Sequence, residues 1–110
     1  MKSWITQLRK GLLEYCVLSV LRHKEGYGYE VVTRLKTIDE LIVTESTVYP
    51  ILSRLKRDGY LLVRTEPSPS GPPRRYFSLT SLGKQHLQSM DCYWDDLNHS
   101  ISQLRNTPIK

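Results

Sequence analysis

The stretch TESTVYPILSRLKRDGYL, Thr44 to Leu61, decides how the rest of the chain is read. Val48, Ile51, Leu52 and Leu55 fall at i, i+3, i+4 and i+7, which makes one apolar stripe on an α-helix that packs on a core. Thr44 or Ser46 can accept a hydrogen bond from a free backbone N–H at the helix start, and Gly59 suits its end. Pro50 is the discordant residue. Counted from Ser46 as the cap, it is the fourth helical position, where the first intrahelical bond is just forming, and it pushes Tyr49 away from the α region. A tight or slightly irregular first turn is expected, not a broken helix. The face opposite the stripe carries Ser46, Thr47, Pro50, Ser53, Arg54 and Arg57, with Tyr49 and Lys56 on the flank.

Working outward towards the N-terminus, residues 4–23 form another periodic block. Trp4, Ile5, Leu8, Leu12, Cys16 and Val20 follow helical spacing, and Leu13, Val17 and Leu21 widen the stripe. Tyr15 and Leu18 nearly close it. A helix apolar almost all round is covered on several sides, so this one is expected to meet its own domain and a second surface. HKEGYGY, His23–Tyr29, breaks the pattern, and Gly26 and Gly28 mark a turn. A second helix is expected from about Gly28 to Lys36, with Val31, Val32 and Leu35 as its apolar face. Asp39 to Val43 is a short connection with apolar anchors Ile38, Leu41 and Ile42.

Beyond Gly59 the period changes from helical to alternating. Tyr60–Thr65 and Arg74–Thr80 read as two strands. EPSPSGPP, Glu66–Pro73, lies between them, and its prolines and glycine are expected to form the loop of a long hairpin. Thr80 or Ser81 caps a last helix reaching to about Asn106. Its residues Leu87, Met90, Trp94, Leu97, Ile101 and Leu104 alternate spacings of three and four, a heptad seam of roughly three repeats. This seam is expected to meet a partner subunit.

The bulk numbers fit a single small domain. The chain has 110 residues and a formal net charge of +5. Its sequence pI of about 9.4 favours a polyanionic partner, nucleic acid before membrane. No apolar run is long enough to span a bilayer, and MKSWITQLRKG lacks the features of a secretory signal, so a cytoplasmic protein is expected. Cys16 and Cys92 form no CxxC pair and read as thiols of a reducing compartment.

Three helices, a hairpin and a long helix are the order of a winged helix-turn-helix: mainly α, with a two-stranded β-hairpin wing. The third helix of such a domain buries one face and offers the other to the DNA major groove, and the wing reaches the neighbouring backbone or minor groove. Small hydroxyls at Ser46, Thr47 and Ser53 allow close approach, while Arg54 and Arg57 suit phosphates and guanine edges. Arg74 and Arg75 stand at the loop end of the second strand, where a wing would touch DNA. The units are then residues 1–80, the DNA-binding domain, and 81–110, a dimerisation helix with a short tail. Two copies would present their recognition helices to successive major grooves, roughly 34 Å apart, on a pseudo-palindromic operator.

These residues resemble the PadR family of bacterial transcriptional regulators, in its short subclass with a single C-terminal helix. KGLLEYCVLSVL (Lys10–Leu21) is similar to the family's first helix and GYGYEVVTRL (Gly26–Leu35) to its second. Tyr49-Pro50, followed by Leu52, Leu55 and Gly59-Tyr60, resembles the recognition-helix motif, and RRYFSLTSLGKQHL resembles the end of the wing. The resemblance runs from about Leu8 to Leu104. It implies a homodimer, joined through the first helix, with Leu8 and Leu12, and the last helix, that usually represses transcription. Some members take phenolic acids or planar drugs between the domains or at the dimer interface, which makes Trp4 and Trp94 candidates to stack a small aromatic effector. Many members have Gly where Ser46 stands, and Phe77 replaces a common Tyr.

Rival readings remain in view. A winged helix can serve as a protein-interaction module without sequence-specific DNA binding. PSPSGPP can be read as a PxxP docking segment. Asp95, Asp96 and His99 share a helical face that a metal could use, but two carboxylates and one His on an exposed turn are far more often solvated surface. No catalytic residue set, metal or cofactor is expected.

Overall fold

The computed structural model describes residues 2–108. Helix α1 (Lys2–Val20) leads through a short strand β1 (Gly26–Tyr27) into helix α2 (Gly28–Lys36). One turn of 3-10 helix (Asp39–Leu41) precedes α3 (Glu45–Arg57). Strands β2 (Leu61–Ser68) and β3 (Gly71–Leu79) form the wing, and α4 (Ser81–Asn106) follows. The sheet is antiparallel in the order β1-β3-β2.

The four helices and the two wing strands contribute to one core. Val17, Leu18 and Leu21 of α1 meet Val31, Val32 and Leu35 of α2 and Val48, Leu52 and Leu55 of α3. Leu61 and Phe77 close it from the sheet, and Leu87 closes it from α4. Leu87 is only 3% exposed. Its expected place on a seam with a partner is therefore corrected: the first turns of α4 lie on their own domain, which consumes that side chain.

The ends of α3 explain its orientation. Thr44 is the residue before the helix, and its carbonyl accepts from both Thr47 N and Val48 N at 3.1 Å, a tight first turn. Its hydroxyl lies 2.9 Å from those of Ser46 and Thr47. Pro50 then falls two residues deeper in the helix than a Ser46 start would place it, and the helix continues through it. At the other end Tyr60 N bonds Leu55 O and Gly59 N bonds Lys56 O, which requires the left-handed φ of 86° that Gly59 adopts without a Cβ penalty. Thr80 joins this end to α4. Its hydroxyl donates to Gly59 O at 2.7 Å and accepts from Gly83 N at 2.9 Å.

The hairpin differs from the sequence expectation. Glu66–Pro73 is not a loop: the strands run on through Ser68 and from Gly71, and only Pro69 and Ser70 turn the chain. Pairing passes from Glu66–Arg74 to Ser68–Gly71, so Pro67 faces Pro72 and Pro73 across an irregularity. There the missing N–H groups break no regular ladder, and β1 pairs β3 only at Tyr76 and Phe77. Gly26 and Tyr27 were expected in a turn and instead supply that third strand. The anchors between α2 and α3 are also corrected. Leu41 packs against the core and Val43 is buried, but Ile38 is exposed and Ile42 is 68% exposed, because its left-handed backbone swings the side chain out to solvent.

Candidate nucleic-acid interface

At 100° per residue, Ser46, Pro50, Ser53 and Arg57 line the centre of the α3 face opposite Val48, Leu52 and Leu55. All four are exposed. Thr47 and Arg54 lie on one flank, Tyr49 and Lys56 on the other. The last turn is basic, with Arg54, Lys56 and Arg57, so it complements the helix dipole as well as any anion in front of it.

The two flanks are tied to different helices. Arg54 extends to α1, where its Nη2 meets Glu14 Oε1 at 2.5 Å. The other Glu14 oxygen is 3.4 Å from Nε2 of His86, whose ring stacks on Tyr60 at 4.1 Å. Arg54 is thus an ion-paired residue at the edge of the face, and Glu14 is a partner that sequence reading missed. Its signal was a lone carboxylate inside the apolar run LLEYC. On the opposite flank the Tyr49 ring lies against Gly28 of α2. Burial, followed by the neighbouring Glu45 charge, raises the Tyr49 phenol pKa.

The arginines of the wing divide by role. Arg64 binds Glu25 at 2.5 Å and Glu66, and lies 4.6 Å over the Tyr76 ring, so it braces the wing against the turn before β1. These carboxylates raise its pKa, and the contact lowers that of Glu25. Arg74 sits 5.1 Å over Tyr27 and Arg75 5.6 Å over Phe77. Both pair within the ladder, opposite Glu66 and Thr65. Their expected position at the loop end is corrected: the strands outrun them, so they stand on the stem of the wing, near the start of α3. Among the described residues Arg57, Arg74 and Arg75 form no ion pair.

A second surface lies between α1 and α4. Leu8, Gly11, Leu12, Tyr15, Met90, Tyr93, Trp94 and Leu97 line an open groove of about 400 Å³. Further along, Ile101 and Leu104 are exposed, as are Trp4 and Ile5 at the start of α1. Trp94 therefore belongs to the groove, with its ring 6.4 Å from that of Tyr15, whereas Trp4 does not line it. Behind Tyr15, Asp91 receives the Tyr15 hydroxyl and both ends of the Arg22 guanidinium, at 2.6 and 2.9 Å, which fixes the end of α1 to α4. The Arg22 contact and then the Tyr15 hydrogen bond hold the Asp91 carboxyl down to about 2. Cys16 is partly buried, which raises its thiol pKa, and Cys92 is exposed; both are free. Among the described residues no group of three or more His, Cys, Asp or Glu side chains could hold a metal ion. No helix there is long and apolar enough to cross a membrane.

Comparison with known proteins matches this arrangement. The model of the transcriptional regulator PadR-like family covers residues 17–89. A crystal structure of a PadR family transcriptional regulator from Eggerthella lenta is similar over 97% of this chain and 93% of its own, with 31% identity and a TM-score of 0.85. The negative transcriptional regulator PadR of Bacillus subtilis is 31% identical over 80 residues, 69% of this chain and 43% of that protein. The structure of Bacillus subtilis PadR in complex with operator DNA is similar over 72% of this chain and 46% of its own, with 28% identity and a TM-score of 0.66. This chain thus spans less than half of that longer relative. From the first buried turn of α1 to the start of α4, the chain belongs to the PadR-like family of transcriptional regulators.

Proposed function

We propose that this regulator is a homodimeric repressor that binds a pseudo-palindromic operator through α3 and the wing. The observation that carries the reading is the exposed face of α3, with small hydroxyls at its start and Arg57 at its end, set beside Arg74 and Arg75, which form no ion pair among the described residues. The Bacillus subtilis relative PadR, a negative transcriptional regulator whose structure is known in complex with operator DNA, supports it. In this reading Ser46, Thr47, Tyr49, Pro50 and Ser53 face the major groove, and the arginines meet phosphates or guanine edges. Residues 1–80 are the DNA-binding unit, 81–110 carry the dimer helix, and the protein works in the cytoplasm. Leu8, Leu12, Met90, Trp94, Leu97, Ile101 and Leu104 join the two copies. A small flat aromatic molecule on Trp94 would change the spacing of the two recognition helices and release the operator, a shift between two dimer geometries.

The test is fluorescence anisotropy with duplex DNA from the gene's own upstream region and a scrambled duplex, at two salt concentrations. Binding to the upstream duplex that outlasts the scrambled one at higher salt supports the repressor. Replacing both Arg54 and Arg75 by Ala should weaken binding and reduce the salt slope by roughly 0.9 for each phosphate that is no longer neutralised. An unchanged affinity in that double variant would remove those two residues from the interface. Absence of any DNA binding at low salt would favour a winged-helix interaction module.

A further inference from the structure

Tyr49 and Arg74, both assigned to DNA above, also wall a cleft beside the recognition helix that the reading above does not describe. It lies between the first turn of α2, the start of α3 and the stem of the wing, and has a volume of about 310 Å³. Tyr27, Tyr29, Tyr49, Pro72 and Arg74 are its principal walls, and no carboxylate lines it. Its shape depends on Gly28. A Cβ there would stand 2.5 Å from Cε1 of Tyr49, so only glycine lets the tyrosine ring lie against the α2 backbone. On the other side the Arg74 guanidinium lies over the Tyr27 ring, which meets the Tyr76 ring edge to face with the centroids 5.7 Å apart. Stacking holds the guanidinium plane and leaves its N–H edges free to donate.

Phenol hydroxyls and a guanidinium give donors with no anionic acceptor among them, set among flat apolar rings and prolines. That combination fits a phosphodiester strand, with anionic oxygens for the donors and deoxyribose faces for the rings. Geometry points to the same occupant. If α3 lies in a major groove and the wing reaches the adjacent minor groove, the strand that divides those grooves must cross the space between them. In this molecule that space is the cleft.

We propose that the cleft is a seat for this dividing strand, with the Tyr29 hydroxyl and the Arg74 guanidinium as its phosphate contacts. The inference rests on the DNA-binding reading above. Tyr29→Phe tests it, since it keeps an exposed ring and removes only the hydroxyl, and Arg74→Ala is its companion. The probe is a short duplex enriched by the wild-type chain from a random pool, together with versions in which single phosphates are replaced by neutral methylphosphonates.

Wild type should lose about tenfold in affinity at one or two phosphates per half-site. Each variant should bind the unmodified duplex about tenfold more weakly, and should lose nothing further when its own phosphate is neutralised. Arg74→Ala should also lower the salt slope by about one, whereas Tyr29→Phe should leave it unchanged because a phenol carries no charge. If both variants keep the wild-type affinity and methylphosphonate profile, the cleft is not the seat and the DNA reading stands. A wild-type chain that enriches no duplex overturns both.

Discussion

At Ile42 the backbone is left-handed, with φ 47°, and the side chain is mostly in solvent. For a β-branched residue this conformation costs on the order of 1–2 kcal/mol, and no core contact offsets it. Ile42→Asn should therefore raise stability by about 1 kcal/mol, since Asn tolerates the left-handed region. A urea titration would show a higher midpoint with an unchanged slope. A lower midpoint would mean that Ile42 is packed on a second copy in solution. Individual side chains are also where the sequence is hardest to read. Spacing alone places Ser46, Pro50, Ser53 and Arg57 on an open face. It cannot show that Arg54 reaches Glu14, forty residues away, because that depends on how α1 crosses α3. The same holds for Tyr49 against Gly28. The motif puts the ring on a flank, and only the crossing of α2 over α3 puts glycine beneath it.

Among the elements, α3 carries a conflict in its own sequence. Pro50 has no N–H to give Ser46, and its ring crowds that carbonyl, a defect worth about 3 kcal/mol in an ordinary helix interior. Pro50→Ala should raise the melting temperature yet weaken operator binding, because Pro50 lies at the centre of the exposed face. An unchanged or lower melting temperature would show that the surroundings already accommodate the ring. The junction of α1 with α4 has its own test. Asp91 is held at about 2, below the usual carboxylate value of about 4, so its contribution is complete above pH 4 and is lost as pH falls towards 2. In Asp91→Asn that part of the acid dependence should vanish, and urea midpoints should fall less steeply than in wild type between pH 4 and pH 2. Parallel curves would refute it. Element order, type and most boundaries could be read from periodicity, because an amphipathic stripe survives as long as one face is buried. The wing could not. Its prolines speak against strands, and whether each lost N–H mattered depended on which edge was paired, a property of the sheet and not of the residue. Strand β1 escaped for a simpler reason: two residues carry no alternation.

The whole molecule is elongated, about 66 by 31 by 20 Å, because α4 runs on past the core. From Cys92 to the end of this helix every residue is exposed, among them Trp94, Leu97, Ile101 and Leu104. From Met90 to Leu104 the stripe is about 21 Å long. Leu8 of α1 lines the same groove, and Trp4 and Ile5 nearer the start of α1 are exposed as well. A monomer seldom leaves so much contiguous apolar surface in water, and a second copy joined by a two-fold axis would cover it. Leu97 is the residue on which to test this. It lines the groove yet is 37% exposed, so a change there should spare the fold of the subunit. Leu97→Glu would place a carboxylate in the seam of each copy, beside apolar partners that cannot solvate it. Sedimentation should then give the 12.8 kDa of one chain where wild type gives twice that, with unchanged helix content by circular dichroism. Affinity for a two-half-site operator should fall by at least about a hundredfold, because each recognition helix would bind without the other held nearby. Affinity for a single half-site should stay the same. A variant that remained dimeric would move the seam elsewhere. A monomeric variant with full operator affinity would show instead that the two helices never acted as a pair.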